Sequence, residues 1–367
     1  MLTIITTIDV EGVHGTDPFR QAFIGDLSKP ENWGVYKLAE IFNRFGISAT
    51  YFVDCYEHSF WGASRLRHVC ERLCTSGQDI QLHTHPGWRD DPRDAPWLRS
   101  LKNSKSYWPG NKDMMAKLTL DEQIEVLSYG KNLLEKWTGQ PIIAHRSGGY
   151  SINNDTITAL KYLDIPIDSS MHATHAHSKI HWSTNQVIER EGVIEIPITQ
   201  MNYALTLPNI FSGSNLYQKR MQTAMDSCSN DELFQYIDFA QENGLSILNL
   251  FMHSYYFLKT DMTWKKIRYN RHRENKIIEF FDALSKRSDI RFMSCSEFLE
   301  AYKSDPTQFS GADMIPTVSA NLSIARLATA KIYRKIKEPF TFYLTNRSIN
   351  RYSAVKTLSH QAKNTGL

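Results

Sequence analysis

Thr7-Ile8-Asp9-Val10-Glu11-Gly12 closes an uncharged, β-branched run, Leu2-Thr3-Ile4-Ile5-Thr6-Thr7-Ile8. An apolar run of this kind reads as a buried first strand. In an extended segment, residues i and i+2 point to the same side. Asp9 and Glu11 therefore face one place, just past a strand end. Two acids there suit a metal ligand beside a general base. A strand end followed by an acidic turn, with Gly12 as punctuation, fits these six residues equally well.

Outward from this strand, apolar patches alternate between strand and helix patterns. A helix is expected from about Val35 to Phe45, capped by Asn32 and stopped by Gly46, with Val35, Leu38, Ile41 and Phe42 at helical spacing. Ser48 to Val53 reads as a second strand, Leu66 to Leu73 as the core of a second helix ending near Gly77, and Asp79 to His83 as a third strand. Residues 87–117 form a long irregular insert rich in Trp, Pro, Asp and Lys. Thr119-Leu120-Asp121-Glu122 reads as a capping box, opening a helix to about Trp137 with Gly139 beyond. Pro141 to Ala144 is expected as a fourth strand, and Asn153 or Asn154 as the cap of a helix ending near Leu163. Ile165 to Ile167 and Val193 to Ile198 read as short strands. Ser229-Asn230-Asp231-Glu232 begins a helix closed by Asn243-Gly244. Leu245 to Met252 is the most apolar strand, and Trp264 to Leu284 reads as a basic helix. Ile290 to Met293 and Ser296 to Tyr302 make a last strand and helix. Such alternation indicates parallel pairing and α/β class. Roughly seven or eight units over about 300 residues fit a barrel better than a two-domain open sheet, with chemistry at the C-terminal strand ends.

The chain has 367 residues, 41% hydrophobic and 22% charged, as in globular proteins in water. The net charge of +3 carries no strong electrostatic message, but its distribution is uneven. About sixty C-terminal residues hold Arg326, Lys331, Arg334, Lys335, Lys337, Arg347, Arg351, Lys356 and Lys363, against only Asp313 and Glu338. The five cysteines are odd in number and irregular in spacing, so reduced, mostly buried thiols are expected. Cys70 and Cys74 lie four apart on a helix without a second pair to complete a metal site. The N-terminus enters a strand directly, and no apolar run approaches the roughly 20 residues of a membrane span. A cytoplasmic protein is expected, with contact at the inner face of the membrane through the basic tail.

His83-Thr84-His85-Pro86 follows the third strand, and its two histidines at i and i+2 are placed to share a metal. With Asp9 or Glu11 they make a two-histidine, one-carboxylate set that leaves positions open for water. Ala144-His145-Arg146-Ser147-Gly148-Gly149-Tyr150 follows the fourth strand; Arg146 is suited to hold the Asp9 carboxylate in two-pronged fashion. A tight turn with an exposed arginine is the alternative. Asp168, after the fifth strand, is suited to orient a catalytic histidine or to serve as a turn acid. His253 ends the most apolar strand, as a general acid or a satisfied strand-end histidine.

In this order, Asp9-x-Glu11, Gly77-Gln78-Asp79-Ile80-Gln81-Leu82-His83, Arg146-Ser147-Gly148-Gly149-Tyr150, Ile167-Asp168-Ser169-Ser170 and Leu250-Phe251-Met252-His253 resemble the NodB-type polysaccharide deacetylases. Ala49-Thr50-Tyr51-Phe52-Val53, Gly139-Gln140-Pro141 and Arg291-Phe292-Met293 match as well, so the resemblance spans about residues 2–302. It implies a distorted (β/α) barrel over 1–303, with 304–367 as a linker and basic, mostly helical extension. It implies a divalent metal, Zn2+ by preference. Asp9 would be the catalytic base, Glu11 and His83 metal ligands, Arg146 the residue steadying the base, and Asp168 the partner tuning His253, the acid. Tyr150 would supply a backbone donor for the oxyanion. Three positions depart from the family pattern. Gly87 stands where a second ligand histidine is usual, leaving His85, or the cluster His172, His175 and His177, to complete the site. Glu11 is longer than the usual Asp and lies one residue further along. The Trp that often accompanies the acid of the fourth motif is absent.

The reaction so implied is hydrolysis of an N-acyl (acetyl or formyl) group on an amino sugar, nucleotide-, lipid- or oligosaccharide-linked, in glycan or O-antigen assembly. Trp88, Trp97, Tyr107 and Trp108 in the insert are expected to overhang the site, Trp88 and Trp108 stacking on sugar faces; a loop packed by its own aromatics is the alternative. Beyond Pro306, Gly311 and Pro316, the stretch Leu322 to Ile336 reads as a basic amphipathic helix for an anionic lipid surface or for the barrel wall. No nucleic-acid module accompanies these charges. A hydrolase of a small non-sugar amide and a non-catalytic glycan-binding barrel are the competing readings.

Overall fold

The structure, a computed structural model, describes residues 1–12, 34–58, 63–87, 113–173, 175, 177–180, 184–206, 215–260 and 267–319. The chain divides into two compact units: Met1–Asn202, Arg220–Leu258 and Tyr269–Val318 form the first, and Tyr203–Lys219, Lys259–Arg268 and Ser319–Leu367 the second. Among described residues, the second consists of parts of the strands β8 (Gln200–Thr206), β9 (Asn215–Gln222), β11 (Leu258–Thr260), β12 (Ile267–Tyr269) and β14 (Thr317–Ser319). The site lies in the first.

The first unit is built on β1 (Leu2–Val10), every residue of which is buried. Its uncharged sequence is explained by its neighbours: β10 (Ile247–His253) runs parallel along its length, while β13 (Ile290–Met293) and then β2 (Thr50–Asp54) pair with it, also in parallel. The sheet continues through β3 (Asp79–Thr84), β4 (Ala144–Ser147), β5 (Ile167–Asp168) and β7 (Val193–Glu195), and ends on the antiparallel β6 (Ile188–Arg190). It is a curled half-barrel, the distorted (β/α) barrel expected from the sequence. Among described residues its two edges, β10 and β6, do not pair.

Helices cover the sheet as their apolar spacing requires. The helix α1 (Val35–Arg44) buries Val35, Leu38, Ile41 and Phe42. The next, α2 (Ala63–Thr75), buries Leu66, Val69, Cys70 and Leu73. The long α3 (Leu120–Thr138) begins on the Thr119–Glu122 capping box and stops at Gly139, whose φ of 68° suits the left-handed cap. Asn153 caps α4 (Asn154–Tyr162), and Ser229 caps α5 (Asn230–Glu242).

Among the expected elements, the fourth strand and the basic helix begin later than the sequence suggests. The fourth strand is 144–147, not 141–144, because the amides of Ile143 and Ala144 both donate to Oε1 of Gln81, at 2.9 and 2.8 Å. The basic helix is α6 (Arg271–Leu284): Asn270 accepts from the Arg273 amide and caps it, and Ile267–Tyr269 before it is a strand. Among the described residues the last α-helix, α7 (Cys295–Ser304), follows β13, and the first unit runs on past it to Val318. Leu322 to Ile336 lies outside the described residues.

Candidate active site

Strand register brings the motif residues to one rim. In parallel pairing Asp9 lies opposite His253, Asp54 opposite His83, His83 opposite Arg146, and His145 opposite Asp168. All stand at the C-terminal ends of parallel strands; Asp9, His83, Arg146 and His253 gather around one mouth, while His145 and Asp168, one residue out of phase, pair with each other on the other face. Nε2 of His83 is 4.0 Å from Oδ2 of Asp9, so these two groups share one end of the fold.

Glu11 is the centre of this rim. Its Oε2 lies 3.1 Å from Nε2 of His83 and 2.5 Å from Nε2 of His85, and its Oε1 lies 3.3 Å from Nε2 of His253. Burial works against the Glu11 charge, but the His85 charge and hydrogen bonds from His253, His83 and His85 more than offset it and hold the carboxyl well below its usual range. Glu11, His83 and His85 are, among the described residues, the one group of His, Cys, Asp and Glu whose ligand atoms converge, all within 4.8 Å of one another.

The far nitrogens of both histidines are engaged. Nδ1 of His83 donates to the Arg146 carbonyl at 2.8 Å, since a carbonyl only accepts, which leaves Nε2 facing Glu11 to carry a proton or, without one, to offer its lone pair to a cation. Nδ1 of His85 donates to Oδ2 of Asp113 at 2.9 Å. Ring orientation by a carbonyl and a carboxylate is what metal-ligating histidines require. Burial disfavours the His85 cation, yet Asp113 and Glu11 raise its pKa well above the usual range. A proton or a metal cation can satisfy the His85–Glu11 pair, and either neutralises the carboxylate.

Arg146 is fully buried, and its guanidinium is used on every side. Nη1 donates to Oδ1 of Asp9 at 2.8 Å and to Thr7 at 3.0 Å; Nη2 donates to the Ser169 hydroxyl at 2.9 Å; Nε donates to the Ser169 carbonyl at 3.0 Å. The plane lies over Phe52 at 4.3 Å. Arg146 thus fixes one oxygen of Asp9 and leaves Oδ2 toward the histidines. Tyr150 is buried beside this site with φ 55°, following Gly149 at φ 56°.

The partner expected for His253 is corrected by the structure. Asp168 bonds Nδ1 of His145 at 2.7 Å, whose Nε2 reaches the Thr84 hydroxyl at 2.9 Å. His253 is instead held by Asp226, whose Oδ2 accepts from Nδ1 at 2.7 Å and from the backbone amide at 3.1 Å. Burial would lower the His253 pKa, but Asp226 and Glu11 outweigh it and push it up to about 10. Tyr255 stacks on the same ring at 4.7 Å between centroids. Asp226 follows β9 (Asn215–Gln222), beside the bridge of Ala224 to Phe251. The polar residues of β9, among them Gln218, Lys219, Arg220 and Gln222, hide it from apolar-pattern reading. Asp113 carries no signal in sequence spacing either.

The cluster His172, His175 and His177 does not join the Glu11 group. Its rings contact one another and Tyr150, His172 stacking on Tyr150 at 4.9 Å. Burial pushes the His172 pKa down to about 4 and that of His175 down as well, so both rings are neutral at neutral pH. Trp88 and Trp108 lie outside the described residues. A cleft of about 500 Å³ opens at the opposite rim, around Gly77, Asp79, Pro141 and Ser296. Its half-buried Asp79 is already bonded by Thr50, Gln81 and Ser296, so the cleft presents no comparable chemistry.

No protein-family model matches the sequence, and no curated protein matches it. Among solved structures, one described as a "putative polysaccharide deacetylase" from Mycobacterium smegmatis is similar over 87% of this chain and 93% of its own, with a TM-score of 0.50 and 16% identity. Another, a "probable Polysaccharide deacetylase" from Pseudomonas aeruginosa PAO1, covers 83% of this chain and 91% of its own, at TM-score 0.47 and 11% identity. The chain shares the fold of the first.

Proposed function

We propose that this chain is a metal-dependent hydrolase that removes an N-acyl group, acetyl or formyl, from an amino sugar. One observation carries the reading: the Glu11 carboxylate meets Nε2 of both His83 and His85 on the rim that also holds an arginine-bound aspartate, Asp9, and a carboxylate-bound histidine, His253.

The donor set fits a divalent ion of zinc type. Two imidazoles and one carboxylate, each histidine oriented through its other nitrogen, leave room for water, as a catalytic site requires. An ion held there would supply Lewis acidity, lowering the pKa of a water and drawing charge onto the acyl oxygen.

The chain's own residues account for the proton movements. Asp9, its Oδ1 pinned by Arg146, presents Oδ2 as the base that takes a proton from the attacking water. The C–O bond to the acyl carbon forms and the C–N bond breaks. His253, kept protonated by Asp226 and Glu11, gives its Nε2 proton to the departing nitrogen, because a bare amide anion is a very poor leaving group. The products are a free amine and a carboxylic acid. The Tyr150 amide is the backbone donor assigned to the tetrahedral oxyanion.

The finer reading is a step in glycan or O-antigen assembly on a nucleotide-, lipid- or oligosaccharide-linked sugar in the cytoplasm. All five cysteines are free thiols, which suits a reducing compartment. Among the described residues, no helix is long and apolar enough to cross a membrane. The test is a panel of N-acetyl and N-formyl amino sugars beside small amides, with acid and amine release both measured. The proposal expects release from a sugar by the wild type and its loss in folded Asp9→Asn. Cleavage of non-sugar amides alone, or undiminished release by Asp9→Asn, would overturn it. Glycan binding without any cleavage would assign a binding barrel instead.

A further inference from the structure

We infer that Asp113 is a positioning residue for the third metal ligand, and that it ties the 87–117 insert, to which it belongs, to the metal site. The inference rests on the proposed metal reading and goes beyond it, since neither the spacing of motifs nor the fold assigns a role to Asp113.

Three observations converge on the His85 ring. Oδ2 of Asp113 accepts from Nδ1 of His85 at 2.9 Å, on the side away from Glu11. The other carboxylate oxygen, Oδ1, accepts from the Gly87 amide at 3.0 Å. Asp113 thereby holds the residues on either side of segment 88–112 together while it aims the imidazole. On a third side the ring lies against the backbone of Gly148: a Cβ there would stand 2.6 Å from Nδ1 of His85 and closer still to Cε1 and Nε2. The ring is therefore clamped between an acid from the insert and the glycine that follows β4, with Nε2 left to meet Glu11 at 2.5 Å.

The physical need for this clamp follows from the spacing. His83 is on β3 and takes its orientation from a neighbouring strand carbonyl. His85 lies past the strand end, where no ladder fixes its ring. A carboxylate on Nδ1 sets the tautomer and the ring plane, and loss of such an outer partner costs about 10- to 100-fold in metal affinity. Gly148 contributes by lacking a side chain.

The test is Zn2+ affinity, measured by competition with a chromophoric chelator on the full chain, with Co2+ absorption as the spectroscopic signature. Asp113→Ala should weaken binding about 10- to 100-fold and shift the Co2+ spectrum toward that of His85→Ala. Asp113→Asn, whose amide oxygen still accepts from Nδ1, should restore much of the affinity. In a His85→Ala background, Asp113→Ala should cost nothing further, since a residue acting through His85 has nothing left to orient. Gly148→Ala, which leaves the acid in place, should weaken binding by displacing the ring, and supplies the test if Asp113→Ala does not fold. Wild-type affinity in Asp113→Ala and Gly148→Ala, or an equal loss from Asp113→Ala with and without His85, would overturn the inference and leave the hydrolase reading standing. Absence of Zn2+ binding by the wild type would overturn both.

Discussion

Asp226 Oδ2 lies 2.7 Å from Nδ1 of His253, at the end of the strand next to Asp9. This carboxylate belongs to a turn between a polar strand and a helix, far in sequence from the acid of the Ile167-Asp168 motif. The two acids therefore have separable duties. Asp226 is partly exposed and serves a rim histidine; Asp168 is fully buried and serves His145 inside the sheet.

Asp226→Asn should reduce turnover on the sugar found by the substrate panel about 100-fold or more, with unfolding free energy changed by less than about 1 kcal/mol. Asp168→Asn should instead cost about 2 kcal/mol of stability, because it removes the charge from one side of a fully buried hydrogen bond to His145. Steady-state kinetics and denaturant unfolding on both variants check the division. Full turnover in Asp226→Asn, with activity abolished in a stable Asp168→Asn, would reverse it.

Arg146 should prove structural and functional at once. Its removal leaves Asp9 charged and buried without its partner, a defect of about 3–5 kcal/mol. Arg146→Lys should recover only part of this, since one ammonium cannot serve Asp9, Thr7 and both oxygens of Ser169 in the plane that a guanidinium does. Chemical denaturation of the two variants gives the comparison; a fully stable Arg146→Lys would refute it.

Glu195 offers a pH test away from the rim. Burial, and then the neighbouring Asp168 charge, raise its pKa well above the ordinary 4.5. An acid whose folded pKa is raised binds its proton more tightly when folded, so stability falls as pH rises from about that ordinary value toward the raised one. Glu195→Gln removes the titration. Its melting temperature should exceed that of the wild type by a margin that widens as pH is raised above 4.5. Parallel melting curves across pH would contradict the assignment.

The legible part of this molecule was carried by short-range physics. The uncharged run 2–8 marks a strand paired on both edges, and i, i+2 spacing puts Asp9 with Glu11, and His83 with His85, on common sides. Thr119 and Glu122 mark a helix start because two backbone donors are satisfied within four residues. The illegible part depends on groups that meet only in space. Gln81 displaces the fourth strand by taking two amides on a neighbouring segment. Asp226 reaches His253 through a bridge between Ala224 and Phe251, and Asp113 reaches His85 from within the insert. Family motif order assigned the His253 partner to Asp168, but here the fifth strand sets that side chain against His145, on the face away from His253.

The metal-site proposal meets its sharpest test in anomalous diffraction at the zinc edge, on crystals of the wild type grown with Zn2+ and without chelator. It predicts one strong peak within bonding distance of the Glu11 carboxylate and of Nε2 of both His83 and His85, absent from His83→Ala crystals. A peak placed on the His172, His175 and His177 cluster, or no peak at the Glu11 rim, would contradict it.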